Sequence, residues 1–124
     1  MIPERFRLKK ERNFDILFDK GQFESGSVVD VKYWSIDLYQ HPDRFKEDDL
    51  KIGFVVSTDI SNKATVRNRK KRQIREATKE LLDEFELNKG FLVAIMAKKS
   101  ILESDFNKIK QELKSILTKI GVIE

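Results

Sequence analysis

The sequence of 124 residues contains no cysteine, one histidine and only two prolines. Without cysteine there is no disulfide framework and no thiolate metal site, and the single His41 cannot form a zinc site or a histidine pair. No apolar run approaches the length of a membrane span, and the first residues, MIPERFRLKK, lack the apolar centre of a secretory signal. We therefore expect a cytoplasmic protein with no membrane partner.

The arrangements that carry protein-based catalysis are also missing. There is no glycine-rich phosphate loop, no serine–histidine–aspartate set and no metal-binding histidine spacing. Four carboxylates occur in one polar stretch, with no apolar frame to hold them as an acid/base or metal cluster; they are Asp43, Glu47, Asp48 and Asp49. We predict no catalytic residue and no metal or cofactor bound by the protein alone.

Hydrophobic periodicity predicts one α+β domain over residues 1–124, with a helix, two or three strands, a helix, a strand and a last helix, in the order α-β-β-β-α-β-α. LKKERNFDILFDKG is typical of a helix ending at Gly21, and QFESGS of a turn. SVVDVKYWSIDLY and LKIGFVVSTD are predicted strands, with QHPDRFKEDD as a long hairpin loop between them.

The second half of the chain predicts a helix, a strand and a last helix. The amphipathic helix runs from about Val66 to Leu87, and Asn88 and Gly90 follow it. GFLVAIMAK has the continuous apolar pattern of a strand buried on both faces, and Ser104 is the predicted N-cap of the last helix. A strand, a helix and a returning strand predict a parallel βαβ pair.

Charge is concentrated in KATVRNRKKRQIREA, at the start of the long helix. The net charge of the chain is +4; residues 63–75 contribute +7, so the other residues carry −3. Cations oppose the positive end of a helix dipole by roughly 0.3–1 kcal/mol each, and no carboxylate relieves them. The ordinary interpretation is a solvated charged face, but this density favours binding of a polyanion, with nucleic acid as the leading candidate.

The same stretch resembles the signature of the bacterial ribonuclease P protein component. VRNRKKRQIREA follows a strand that ends in VVS and opens an amphipathic helix. RFRLKKERNFDILFDKG resembles the opening helix of that family, and GFLVAIMAKKSILESDFNKIKQELKSIL resembles its last strand and helix. The resemblance extends over nearly the whole chain.

The resemblance implies a compact α/β sandwich in which the βαβ crossover is left-handed, against the usual rule. It implies the small subunit of an endoribonuclease whose large subunit is a catalytic RNA. That holoenzyme removes the 5′ leader of precursor tRNA with Mg²⁺ held mainly by the RNA. The implied partners are therefore the catalytic RNA and precursor tRNA, with no DNA.

Site residues follow from the same resemblance and from the charge pattern. Contact with the catalytic RNA is assigned to Arg67, Asn68, Arg69, Lys70, Lys71, Arg72 and Arg75. Ser57, Asn62 and Lys63 match positions near that surface. Phe14 and Phe18 match the aromatic pair of the leader cleft between the first helix and the sheet. Lys32, Tyr33 and Trp34 compete for the strand aromatic of the cleft, and we choose Tyr33.

The sequence also allows other interpretations of the site residues and of the function. Aromatics at i, i+4 on a short helix are often core residues, so Phe14 and Phe18 have a packing interpretation too. The family often has lysines where this chain has Thr58-Asp59, which puts a phosphate contact there in doubt. A non-catalytic RNA-binding module, such as a ribosome-associated protein, is the alternative function, and a DNA-binding regulator is a further one.

Overall fold

A computed structural model describes residues 2–9, 11–36 and 49–123. The helices are α1 (Glu11–Lys20), α2 (Ala64–Glu84) and α3 (Phe106–Ile120), and the strands are β1 (Gln22–Ser25), β2 (Val29–Ser35), β3 (Leu50–Val55) and β4 (Phe91–Ala97). Short 3-10 helices span Glu4–Phe6 and Lys99–Glu103. This order confirms the predicted α-β-β-β-α-β-α arrangement. Most of the predicted loop, residues 37–48, lies outside the described residues.

The four strands form one sheet in the order β1-β2-β4-β3. β3 and β4 are parallel and are joined through α2, which confirms the predicted βαβ unit; the handedness of its crossover stays a prediction. The predicted hairpin between β2 and β3 is wrong, because β4 lies between them and pairs with both. β4 is one of the two interior strands, and Leu92, Val93, Ala94 and Ile95 on its two faces are fully buried.

Helices cover both faces of the sheet. On one face, α2 and α3 pack through a large core that includes Ile74, Leu81 and Leu113. On the other face, α1 packs through Ile16 and Leu17 onto Trp34, Leu92 and Ala94. The sheet is therefore the middle of three layers, and the short α1 leaves part of its own face uncovered.

The structure differs from the sequence interpretation at β1, at the end of α2 and at the start of α3. QFESGS is not only a turn, because its first four residues form β1, paired antiparallel with β2. α2 ends at Glu84 rather than Leu87, since Phe85 is extended and packs on the core while Leu87 bridges to Ile123. The N-cap of α3 is Asp105 and not Ser104; its carboxylate accepts a hydrogen bond from the Lys108 amide at 2.8 Å.

Candidate nucleic-acid interface

The start of α2 has cations in place of a cap. Its N-cap residue is Lys63, with an extended backbone and no side-chain hydrogen bond to the helix, and the first turn contains no acidic residue. The free amide groups of a helix N-terminus attract anions. Here Lys63 precedes the helix and the first turn has no acidic side chain, so an external anion would satisfy both the amides and the cations.

Four side chains define what we call the basic face of α2: Arg69, Lys71, Arg72 and Arg75. Lys71 is half-buried and the three arginines are exposed. No acidic side chain in the described part of the chain forms an ion pair with any of the four. Ion pairs in that part of the chain are formed by cations outside the face, among them Lys9, Lys79, Lys98, Lys110 and Lys119.

Two of the predicted RNA contacts have partners within the protein. Arg67 is half-buried, and its Nη1 donates to the Ser61 carbonyl at 2.8 Å, so it fixes the loop before α2. Lys70 is buried, and its Nζ donates to the Ser104 carbonyl at 3.0 Å. Burial lowers the pKa of Lys70, Arg69 adds to that effect and Asp105 opposes it. The Lys70 side chain therefore ties α2 to the segment before α3, and its contact with RNA stays a prediction from the sequence.

The other predicted residues near this surface are exposed. Asn68 lies in the first turns of α2, and Asn62 and Lys63 lie in the loop before it. Ser57 follows β3, where its carbonyl accepts the Ile60 amide at 3.1 Å in a tight turn. The fold thus brings the end of β3 and the start of α2 to one end of the molecule.

A groove of about 520 Å³ runs along the edge of β3, between the N-terminal segment and α2. The Leu8 amide donates to the Ile52 carbonyl at 3.0 Å, which fixes the N-terminal segment along that edge. Five cations and one acid line the groove: Arg7, Lys9, Lys71, Arg72, Arg75 and Glu76.

Arg7 and Lys9 belong to a weaker basic set of the N-terminal sequence, which also holds Arg5, Lys10 and Arg12. Periodicity carried no signal that this set would meet α2, because the meeting depends on a pairing across more than forty residues. Lys9 also forms an ion pair with Glu4, and the hydrogen bond from its Nζ lowers the pKa of the Glu4 carboxyl.

The groove reaches the aromatic pair of α1. Phe14 lines it, and the ring centroids of Phe14 and Phe18 lie 6.5 Å apart with planes 18° from parallel. Phe14 is half-buried over Gly53, where a Cβ would lie 2.5 Å from the Phe14 Cζ, whereas Phe18 is 43% exposed. The core interpretation therefore applies to Phe14 in part and does not account for Phe18.

Tyr33 does not join this pair. It packs with the core on the α2–α3 face, and its hydroxyl donates to the Gln22 side chain at 2.8 Å. Side chains alternate along a strand, so its neighbours Lys32 and Trp34 point to the α1 face, where Trp34 is buried. Tyr33 therefore lies on the face opposite the α1 cleft, and Lys32 is half-buried on the α1 face. Which of the three residues meets the leader stays a prediction.

The described residues contain no group of three or more histidine, cysteine or acidic side chains that could hold a metal ion. Of Asp43, Glu47, Asp48 and Asp49, the structure describes Asp49 alone. The described residues also contain no helix long and apolar enough to cross a membrane.

Comparison with known proteins places these features in context. Residues 2–121 match the family model described as Ribonuclease P. A ribonuclease P protein component from Bacillus cereus (strain G9842) is 33% identical over 121 residues, covering 98% of this chain and 96% of the relative.

Two solved structures are similar in fold. The RNase P protein from Thermotoga maritima has a TM-score of 0.72 at 25% identity, covering 91% of this chain and 96% of that one. The Staphylococcus aureus RNase P protein has a TM-score of 0.74 at 21% identity, with 96% and 98% covered; at that identity the likeness shows the fold alone.

Proposed function

The chain belongs to the ribonuclease P protein family, and from this premise we propose that it binds the RNA subunit through the basic face of α2. The function of the family is the 5′ maturation of tRNA together with an RNA subunit, so the chain is a component of an endoribonuclease. Catalysis by the RNA is the arrangement of the family. The protein's own part is then electrostatic and positional.

The observation that carries the proposal is the uncompensated charge at the start of α2. Arginine makes forked contacts with phosphate, and Arg69, Arg72 and Arg75 are exposed without acidic partners among the described residues. Each phosphate that they neutralise releases counterions and makes binding salt-dependent. Asn68, Asn62, Lys63 and Ser57 border this face and would add polar contacts to the RNA backbone.

The groove along β3 supports a second contact, with the 5′ leader of precursor tRNA. Phe14 and Phe18 offer ring surface on which unpaired bases stack, for about 1–3 kcal/mol per base. Lys71 and Arg72 line the same groove as Phe14, so a strand held there would meet aromatic surface and cations together. By holding a leader that mature tRNA lacks, the protein would favour precursor over product.

We propose that residues 1–124 act as one RNA-binding domain in the cytoplasm. The Mg²⁺ ions that the family resemblance implies are assigned mainly to the RNA subunit. Arg67 and Lys70 support the surface by holding the loop before α2 and the segment before α3, rather than by binding phosphate.

The test is cleavage of precursor tRNA at low magnesium by the RNA subunit, with and without the protein. Stimulation by the wild type, and its loss in Arg69→Ala/Arg72→Ala, supports the proposal. Lys89→Ala/Lys114→Ala removes the same charge from exposed sites elsewhere and should stimulate normally. Tight RNA binding without stimulation would instead favour a non-catalytic RNA-binding module, and equal competition by duplex DNA would favour a DNA-binding protein.

A further inference from the structure

Phe23 is the most exposed large hydrophobic side chain of the described residues, at 54%. It lies in β1, directly opposite Lys32 of β2. Directly paired residues of antiparallel strands project to the same face, and the face of Lys32 is the one that carries α1. Phe23 therefore lies on the uncovered part of the α1 face, at the edge of the sheet away from the groove.

α1 crosses this face from β3 toward β1. Phe14, near its start, lies over Gly53 of β3, and Gly21, just past its end, approaches the Tyr33 carbonyl of β2. Phe18 is one turn further along than Phe14 and is exposed. Neighbouring strands are about 4.8 Å apart, so Gly53 and Phe23, three strands apart in one row, are separated by about 14 Å.

Lys32 supplies a positive charge on the same face as Phe23, at the position directly opposite it in the strand pair. Its side chain is half-buried on the floor of the α1 face, and no described residue forms an ion pair with it. Cβ atoms of directly opposite residues lie about 4.5–5.5 Å apart. An aromatic ring and a cationic side chain at directly opposite positions of one face suit a nucleotide, with its base on the ring and its phosphate at the amine.

We propose that Phe23, together with Lys32, forms a second stacking site for the single-stranded leader of precursor tRNA, beyond the Phe14–Phe18 pair. The inference rests on the proposed function, since it extends the same bound strand across the sheet. With Tyr33 turned to the opposite face and Trp34 buried, Phe23 is the exposed aromatic that the strands present here. The separation from Phe14 means that the two sites hold different nucleotides.

The alternative occupant is a second copy of this chain, seated on the β1 edge. β1 has only four residues, and Glu24 within it forms an ion pair with Lys119. Short, charged edge strands resist pairing with another chain. A two-fold contact centred on Phe23 would also bring two Lys32 side chains together, so single-stranded RNA suits the charge better.

The experiment measures affinity of the complex of protein and RNA subunit for precursor tRNAs whose leaders are shortened stepwise, with leaderless tRNA as reference. Phe23→Ala should weaken binding of the longest leader on the order of tenfold and leave leaderless tRNA unchanged. Phe23→Tyr, which keeps a stacking ring, should bind like the wild type. The Phe23→Ala and Phe14→Ala effects should disappear at different leader lengths.

The outcomes separate this inference from the proposed function. If Phe14→Ala weakens binding of long leaders and Phe23→Ala does not, the proposed function stands and the Phe23 site is wrong. If Phe23→Ala changes only the sedimentation of the protein, its role is contact with a second copy, which also overturns the site. If neither variant affects any leader and the wild type gives no stimulation, the proposed function itself fails.

Discussion

Lys70 and Lys71 are adjacent on α2 but have different surroundings. Lys70 is buried and donates to the Ser104 carbonyl, whereas Lys71 lines the cationic groove. The helical wheel places both near the apolar side of the helix, but the partner of Lys70 is 34 residues away in sequence. Two consecutive residues of the helix therefore differ in role: Lys70 is a structural lysine and Lys71 is a candidate phosphate contact.

We expect Lys71→Met to reduce the salt slope of RNA affinity by about one, as for one lost phosphate contact. Lys70→Met should leave that slope unchanged, because its ammonium group faces the protein. The measurement is RNA affinity over a series of salt concentrations for the matched pair of variants. Equal losses of slope would show that Lys70 also reaches phosphate and would contradict its structural role.

Lys70 also predicts a pH dependence of stability. Burial lowers its pKa below the ordinary value of 10.5, so the unfolded chain binds this proton more tightly than the folded protein. The free energy of unfolding of the wild type, relative to Lys70→Met, should therefore rise with pH between the lowered pKa and 10.5. Urea unfolding at several alkaline pH values measures the difference, and a fall over that interval would contradict the assignment.

Gly53 gives a prediction about the position of one ring. Because a Cβ there would lie 2.5 Å from the Phe14 Cζ, Gly53→Ala must displace the ring while the β3 backbone keeps its pairing. We expect weaker binding of leader-bearing tRNA, with little change for mature tRNA. Competition between the two tRNAs measures this preference; an unchanged preference would show that the position of Phe14 does not matter for the leader.

At the scale of elements, the N-termini of α2 and α3 differ in their caps. Asp105 caps α3, whereas Lys63 provides no cap for α2. We expect Lys63→Asp to raise the free energy of unfolding by about 1 kcal/mol, through a side-chain cap and a favourable charge at the helix end. The same change should weaken RNA binding.

Urea unfolding measures the effect on stability, and RNA affinity measures the effect on binding. Asp105→Ala is the reference for a missing cap, and its free energy of unfolding should fall by about 1 kcal/mol. A Lys63→Asp variant that is less stable than the wild type would show that the helix start is not strained by its charges. A Lys63→Asp variant that is more stable and binds RNA equally well would show that RNA binding does not need the charge of Lys63.

The types of most elements could be predicted from local pattern, but their neighbours could not. The period of Ile74, Ala77 and Leu81 predicts α2, and the unbroken apolar run of β4 predicts a central strand. QFES gives no local signal for the position of β1, because the stretch is short and mostly polar and its pairing depends on β2. The insertion of β4 between β2 and β3 follows from long-range packing, which leaves no signature in either strand.

The candidate site could be predicted only where residues are close in sequence. The basic face of α2 and the Phe14–Phe18 pair each lie within one helix, and both are visible in the sequence. The groove requires the N-terminal segment to pair with β3, and Phe23 requires β1 to pair with β2. Strand alternation decides between Tyr33 and its neighbours, and that decision needs the register of the sheet.

On the scale of the whole molecule, charge and shape support one account. A chain with a net charge of −3 outside residues 63–75 carries +7 within them. The fold places that charge at the open end of a helix and beside a groove that leads to the aromatic residues of α1. The central claim is that this basic face is kept without acidic partners because the phosphates of an RNA supply them.

The most direct test combines RNA affinity at several salt concentrations with urea unfolding for Arg69→Ala/Arg72→Ala, beside the charge-matched Lys89→Ala/Lys114→Ala. The account predicts that the first variant binds the RNA subunit more weakly, with a salt slope smaller by about one to two. It should be at least as stable as the wild type, while the control keeps the slope. An unchanged slope, or a clear loss of stability in Arg69→Ala/Arg72→Ala, would contradict the claim.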